Sequence, residues 1–190
     1  MKYDCSVFIG RFQPFHNGHK HVIDEGLKIS RQMIIFCGSA NKARSIKNPW
    51  IYKERKEYIS KSFTKTTLKR LHILPLSDHP DDMIWVKGIE EKVKKMIPKA
   101  NSVAIIGYQK DETSYYLKLF HKWHVVEVNN INDISATHIR QEIFKEKSKQ
   151  EIVNKIQNLV PKGVLSFLLN FLEKQYLFKT KKTYSKEQLG

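Results

Sequence analysis

Two histidines three residues apart, His16 and His19, stand inside the run GRFQPFHNGHK at residues 10–20, between an apolar segment and a helical one. At that spacing both imidazoles share one face of a helix's first turn. Unpaired backbone N–H groups and the helix dipole favour anions at that same turn. Imidazole N–H groups donate to phosphate oxygens, and Arg11 adds a guanidinium. Gly10 lets the chain turn at the strand end, and Gly18 permits close approach at the helix start. The chemistry this points to is phosphate binding. The run is not a Walker loop, because no Gly-Lys-Ser/Thr follows, nor is it a GxGxxG dinucleotide fingerprint. The histidines, His21 included, could instead be ordinary surface residues or part of a metal cluster. A zinc site would need further ligands, and no Cys or acidic residue stands at a suitable spacing nearby.

A second anion-seeking run is ISATHIR at residues 134–140. Ser135 and Thr137 can cap a helix start with their hydroxyls, and Arg140, one turn in, faces the same anion site. Alone, such a start is an ordinary cap. Its coexistence with the histidine run carries the functional reading.

The elements that must position these residues alternate. Segments 3–10, 33–39, 71–76, 103–108 and 123–128 read as short strands, and 18–30, 53–63, 83–97 and 113–120 as helices. Strict alternation predicts an α/β fold, a doubly wound parallel sheet of about five strands with helices on both faces. Strands one, two and four are almost continuously apolar, as expected when both faces are covered. Ligands should then sit beyond the C-terminal strand ends, near the switch point of the sheet. Helices alone follow, at 136–147, 150–159 and 161–177, the last dense enough in apolar residues to dock on the body. One domain is expected over 1–178, with a basic tail at 179–190.

Composition bounds the partners. The chain has 190 residues, 34 Lys+Arg against 19 Asp+Glu, and a formal net charge of +15. Residues 42–70 hold ten basic and two acidic side chains, and 174–190 hold five Lys and one Glu, so these stretches supply +8 and +4 of the total. Such excess suits polyanions, either nucleic acid or phosphorylated small molecules. No run reaches the roughly 18 apolar residues of a membrane helix. The two cysteines, Cys5 and Cys37, read as small core residues in a reducing cytosol, so a cytoplasmic location and no membrane are expected.

GRFQPFHNGH resembles the HxGH signature of the nucleotidyltransferase superfamily, whose histidines contact a nucleotide triphosphate. ISATHIR resembles that family's ISSTxxR motif, with Ala136 where serine is usual. Three further runs, GSANKARSIKNPWIYKER (38–55), LPLSDHPDDMIW (74–85) and IGYQKDETSYYLKLF (106–120), resemble the archaeal-type nicotinamide mononucleotide adenylyltransferases. That branch includes the adenylyltransferase half of bacterial enzymes that also carry a Nudix hydrolase. The resemblance covers about residues 3–175 and implies a Rossmann-like nucleotidyltransferase fold.

What the resemblance implies can be placed by residue. His16, His19, Arg140 and Lys47 would act on the phosphates. Gly10, Arg11, Phe12, Gln13, Gly18, Gly107, Lys110, Asp111, Ser135 and Thr137 would hold ATP. Phe15, Ser39, Asn48, Arg55, Asp78 and Trp85 would hold the mononucleotide, Trp85 by stacking on the cationic pyridinium. The implied substrates are ATP and nicotinamide mononucleotide, and the products NAD and pyrophosphate. Mg²⁺ would arrive on the ATP phosphates rather than on a protein site, and the C-terminal helix could serve a homo-oligomer interface. No GX5EX7REUXEEXGU pattern occurs, so no ADP-ribose pyrophosphatase activity is expected. Other acceptors are nicotinic acid mononucleotide, phosphopantetheine and flavin mononucleotide. Outside the enzymes, the charge admits a nucleic-acid-binding protein, against which stands the lack of zinc-finger spacing, an RNP-like motif or a convincing helix-turn-helix.

Overall fold

A computed structural model describes residues 1–108, 112–129, 134–145 and 148–173. Five parallel strands form one sheet in the order β3-β2-β1-β4-β5: β1 Tyr3–Gly10, β2 Ser30–Cys37, β3 Leu71–Pro75, β4 Val103–Gly107 and β5 His124–Glu127. Helices α1 Asn17–Ile29, α2 Tyr52–Ser60, α3 Lys65–Leu68 and α4 Asp82–Met96 and a 3₁₀ helix, Glu112–Leu119, alternate with them. Three more close the described chain: α5 Ala136–Lys145, α6 Lys149–Ile156 and α7 Lys162–Glu173. The doubly wound sheet is therefore as the alternation predicts.

The chain winds from β1 outward through β2 and β3, then crosses β1 to place β4 on its other side. The switch point thus lies between the C-terminal ends of β1 and β4. Central strands are covered on both faces, which their apolar sequences require. One face packs Phe8, Phe12, Phe15, Val22 and Ile35 against α1, α2 and the C-terminal helices. The other packs Val7, Ile9, Ile34 and Phe36 against Val86, Ile89 and Val93 of α4 and Leu117 of the 3₁₀ helix. Helix α7 docks on the body, with Phe167 and Phe171 edge-on to Tyr58 and Trp50 at 5.2 and 6.0 Å.

Three predicted elements differ in detail. Strand β2 begins at Ser30 rather than 33, directly after α1. Ser30 turns extended at φ −125 while its N–H still reaches Gly26 O, so no loop is needed. The predicted helix 53–63 ends at Ser60, and Thr64 starts the separate α3 by accepting from the Thr67 N–H. The predicted helix 113–120 is a 3₁₀ helix. Residues 146–147, the end of the predicted helix 161–177 and the tail 179–190 lie outside the described residues.

Candidate active site

The sequence order strand–glycine–loop–helix places the histidine run at the end of β1. Gly38 N–H bonds to Gly10 O at 2.9 Å and Val128 N–H to Gly107 O at 2.9 Å, so the strand ends are tied across the sheet. Beyond them opens a cleft of about 410 Å³ lined by Phe8, Ile9, Gly10, Arg11, His19, Gly38, Ser39, Asp78, Trp85, Gly107, Tyr108 and Tyr116.

His16 is the N-cap of α1 and is buried. The His19 N–H donates to His16 Nδ1 and the His16 N–H to His19 Nδ1, each at 3.3 Å. The rings stack with centroids 3.6 Å apart. Because each Nδ1 accepts, the proton of each neutral ring is carried on Nε2. The reciprocal cap therefore orients two N–H donors as a pair at the positive end of a helix. His19 lies on the cleft wall, and His16 stacks against it.

Arg140 is buried on α5 and comes to the same loop. Its Nη1 donates to Gln13 O at 2.5 Å and its Nη2 to the Thr137 hydroxyl at 3.1 Å. Burial, and after it the charge of Arg11, pull this guanidinium down to about 10. It therefore remains a cation at neutral pH. Two guanidiniums and two imidazole donors thus converge on one strand end. Such a grouping opposes itself until an anion arrives, and it is built to hold phosphates.

Ser39 stands at φ 51, and its N–H and hydroxyl both donate to the Asp78 carboxylate at 3.0–3.2 Å. Trp85 lies across the cleft, edge-on to Tyr116 with ring centroids 6.0 Å apart. The Tyr116 hydroxyl donates to Ile9 O at 3.2 Å and is pushed up to about 12 by burial. Tyr108 and Tyr116 were not expected in the site. The tyrosines in GYQKDETSYY were its available signal, but periodicity did not say which faced the strand ends.

Of the predicted site residues, Gly10, Arg11, His19, Ser39, Asp78, Trp85 and Gly107 line the cleft. Lys47 is exposed on the loop before α2. Asn48 Oδ1 is buried and has no partner among the described residues. Gly18 sits under the His16 ring, which a Cβ there would meet at 3.1 Å. Ser135 precedes α5, and its carbonyl accepts from the Ile139 N–H. Lys110 and Asp111 lie outside the described residues.

Four further residues expected in the site, Phe12, Gln13, Phe15 and Arg55, have buried side chains with partners inside the protein. Phe12 and Phe15 are 1% and 0% exposed. Phe12, at φ 52, packs on Phe8 and His19 at 5.4 and 4.9 Å, while the Tyr58 hydroxyl donates to its carbonyl. The Gln13 amide donates to Trp50 O at 2.8 Å and accepts from the Trp50 N–H at 3.1 Å. Arg55 donates to the Arg11 and Gly38 carbonyls at 2.8 and 2.6 Å. These four side chains brace the loop from behind the cleft. The basic stretch 42–70 is likewise less of a free patch than its count implies. Arg44 pairs with Glu54, Lys61 with Glu57, and Arg70 caps three carbonyls between Leu27 and Arg31.

Known proteins are similar to this chain over most of its length. The cytidylyltransferase-like family profile matches residues 7–142. A nicotinamide/nicotinic acid mononucleotide adenylyltransferase of Acinetobacter baylyi is 38% identical over 92% of this chain and 89% of its own length. A nicotinamide-nucleotide adenylyltransferase of Methanococcus aeolicus is 28% identical over 86% of this chain and 87% of its own. Among solved structures, a bifunctional NMN adenylyltransferase/ADP ribose pyrophosphatase of Francisella tularensis, complexed with AMP and a manganese ion, superposes with a TM-score of 0.74 at 33% identity. The match covers 97% of this chain and 56% of that one, so the chain spans just over half of the bifunctional protein.

Proposed function

The chain belongs to the cytidylyltransferase-like family, and from that membership we propose that it transfers the adenylyl group of ATP to nicotinamide mononucleotide, giving NAD and pyrophosphate. One observation carries the reading: His16, His19, Arg11 and Arg140 gather at the β1 end, where a doubly wound sheet binds its ligand.

An oxygen of the mononucleotide's 5′-phosphate attacks the α-phosphorus of ATP. The new P–O bond forms as the bond to the β-phosphate oxygen breaks, and that oxygen's electron pair leaves with pyrophosphate. A phosphate monoester is already anionic at neutral pH, so the protein supplies neither nucleophile nor general base. Its contribution is alignment and fixed positive charge. The Nε2–H groups of His16 and His19 and the guanidiniums of Arg11 and Arg140 take up charge developing on the leaving pyrophosphate. The Trp85 face receives the pyridinium, and Asp78, held by Ser39, stands beside it.

Among the described residues no group of three His, Cys, Asp or Glu could hold a metal ion. The donor set of the cleft is cationic and fits phosphate, so Mg²⁺ would enter bound to ATP. There it would neutralise phosphate charge. No helix among the described residues is long and apolar enough to cross a membrane. We place the reaction in the cytoplasm on the two free, buried cysteines, which suit a reducing compartment. Nicotinic acid mononucleotide is a second acceptor, a reading favoured by the name of the Acinetobacter relative.

The test is a coupled assay of purified protein with ATP, Mg²⁺ and each mononucleotide, read as dinucleotide formed and pyrophosphate released. NAD formation with stoichiometric pyrophosphate is expected. H19A should lower turnover by about 100-fold or more while leaving circular dichroism unchanged. No dinucleotide from either acceptor would overturn the reading.

A further inference from the structure

Arg55 is 1% exposed and does not line the cleft, yet it holds the cleft's wall from behind. Its Nη1 donates to Arg11 O at 2.8 Å and to Gly38 O at 2.6 Å. Arg11 and Gly38 are the first residues beyond β1 and β2, and both face the cleft. One nitrogen therefore ties together the loop that carries Arg11 and the loop that carries Ser39, whose N–H and hydroxyl in turn hold Asp78 of the loop after β3.

The charge of Arg55 is as telling as its bonds. The neighbouring acids are engaged elsewhere: Glu54 pairs with Arg44 at 2.8 Å and accepts from the Ile51 N–H, and Glu57 pairs with Lys61 at 2.6 Å. No carboxylate is paired with Arg55 among the described residues, and its Nε is buried without a partner. A buried cation matched only by carbonyl dipoles is costly. What it supplies is a positive charge one peptide unit behind a wall that receives anions. The rigid guanidinium plane also holds Nη1 at a fixed place between the two carbonyls, which a lysine's flexible stem does not do.

We infer that Arg55 is a positioning residue of the adenylyl-transfer site: without touching substrate, it fixes the β1 and β2 loops against each other and so sets where Arg11 and the Ser39–Asp78 pair stand across the cleft. The inference rests on the function proposed above. Displacing a reacting group by about 1 Å can cost about 100-fold in rate, so a loosened wall should appear first in turnover.

The experiment compares wild type, R55K and R55M, with calorimetric titration by ATP counting the competent sites in each preparation. R55M removes the charge and both hydrogen bonds, whereas R55K keeps the charge but not the rigid plane that places Nη1. Turnover per ATP-binding site should fall about 100-fold in R55M and about 10-fold in R55K, with the Michaelis constants for ATP and mononucleotide moving much less. A role confined to stability would lower melting temperature and site count but leave turnover per site at the wild-type value. That outcome overturns the inference. Should R55M bind no ATP, R55K alone decides, and wild-type turnover per site in R55K refutes the positioning role. A wild type that makes no dinucleotide refutes the proposed function itself, and the positioning role falls with it.

Discussion

Adding one methyl group at Gly10 should damage catalysis through the buried ring of Phe12 behind it. A Cβ built there lies 2.8 Å from both Cε1 and Cζ of Phe12, and 3.4 Å from its Cδ1. Comfortable carbon–carbon contact begins at about 3.5 Å, so something must move by about 0.7 Å. The ring has little room. Phe12 is 1% exposed, its backbone is held at φ 52 with the carbonyl taken by Tyr58, and its ring lies 4.9 Å edge-on to His19. Overpacking of this kind costs about 1–3 kcal/mol, which lowers the melting temperature of a chain this size by about 2–4 °C per kcal/mol. Displacement passed on to His19 should cut turnover by up to about 100-fold. The assay pairs calorimetric melting with the coupled NAD assay for G10A, F12L and G10A/F12L. Leucine lacks the two colliding ring atoms, so the double variant should recover turnover relative to G10A. Wild-type melting and turnover in G10A would refute the argument, as would a double variant no better than the two single losses combined.

Other outcomes follow from the same geometry. W85A should raise the Michaelis constant for the mononucleotide more than that for ATP, by about 10-fold if an indole–pyridinium contact of about 1–2 kcal/mol is lost; equal effects on both substrates would assign Trp85 to the core. Y116F removes the donor to Ile9 O, an interaction worth about 1 kcal/mol, and should weaken mononucleotide binding about fivefold in calorimetry with little change in ATP binding. Burial pushes the thiols of Cys5 and Cys37 up to about 12 from 9.0. Native protein at pH 8 should therefore resist a disulfide thiol reagent that labels both after denaturation. By linkage, the unfolded chain releases these protons from about pH 9 while the folded chain keeps them to about 12, so stability should fall as pH rises through that window. Urea midpoints at pH 8 and 10 check the sign, and a rising midpoint would contradict it.

Much of the site was legible because its signals are local. Two histidines in a strand-to-helix turn, taken together with a Ser/Thr-led helix bearing Arg140, point to an anion site, since each helix start brings its own donors together. What was not legible was the side each loop residue turns. Phe12, Gln13, Phe15 and Arg55 stand in or beside motif runs and read as ligand contacts, yet they are buried. Their partners, Trp50, Tyr58, Gly38 and His19, come from other elements. Conversely Tyr116 enters the cleft because β1 offers the carbonyl of Ile9, a contact spanning 107 residues.

The amino-acid order alone determined the doubly wound sheet, the placement of the anion-binding runs at strand ends and the polyanionic character of the ligand. Hydrophobic period, turn chemistry and charge are properties of neighbouring residues, and they need no partner to be read. Tertiary structure alone decided which of the motif residues line the cleft and which brace the loop behind it. It also decided that Arg44, Arg55, Lys61 and Arg70 of the basic stretch are engaged in ion pairs and carbonyl contacts. Those choices depend on where α2, α5 and α7 come to rest against the β1 loop. Close packing across long sequence separations sets that arrangement, and no local pattern carries it.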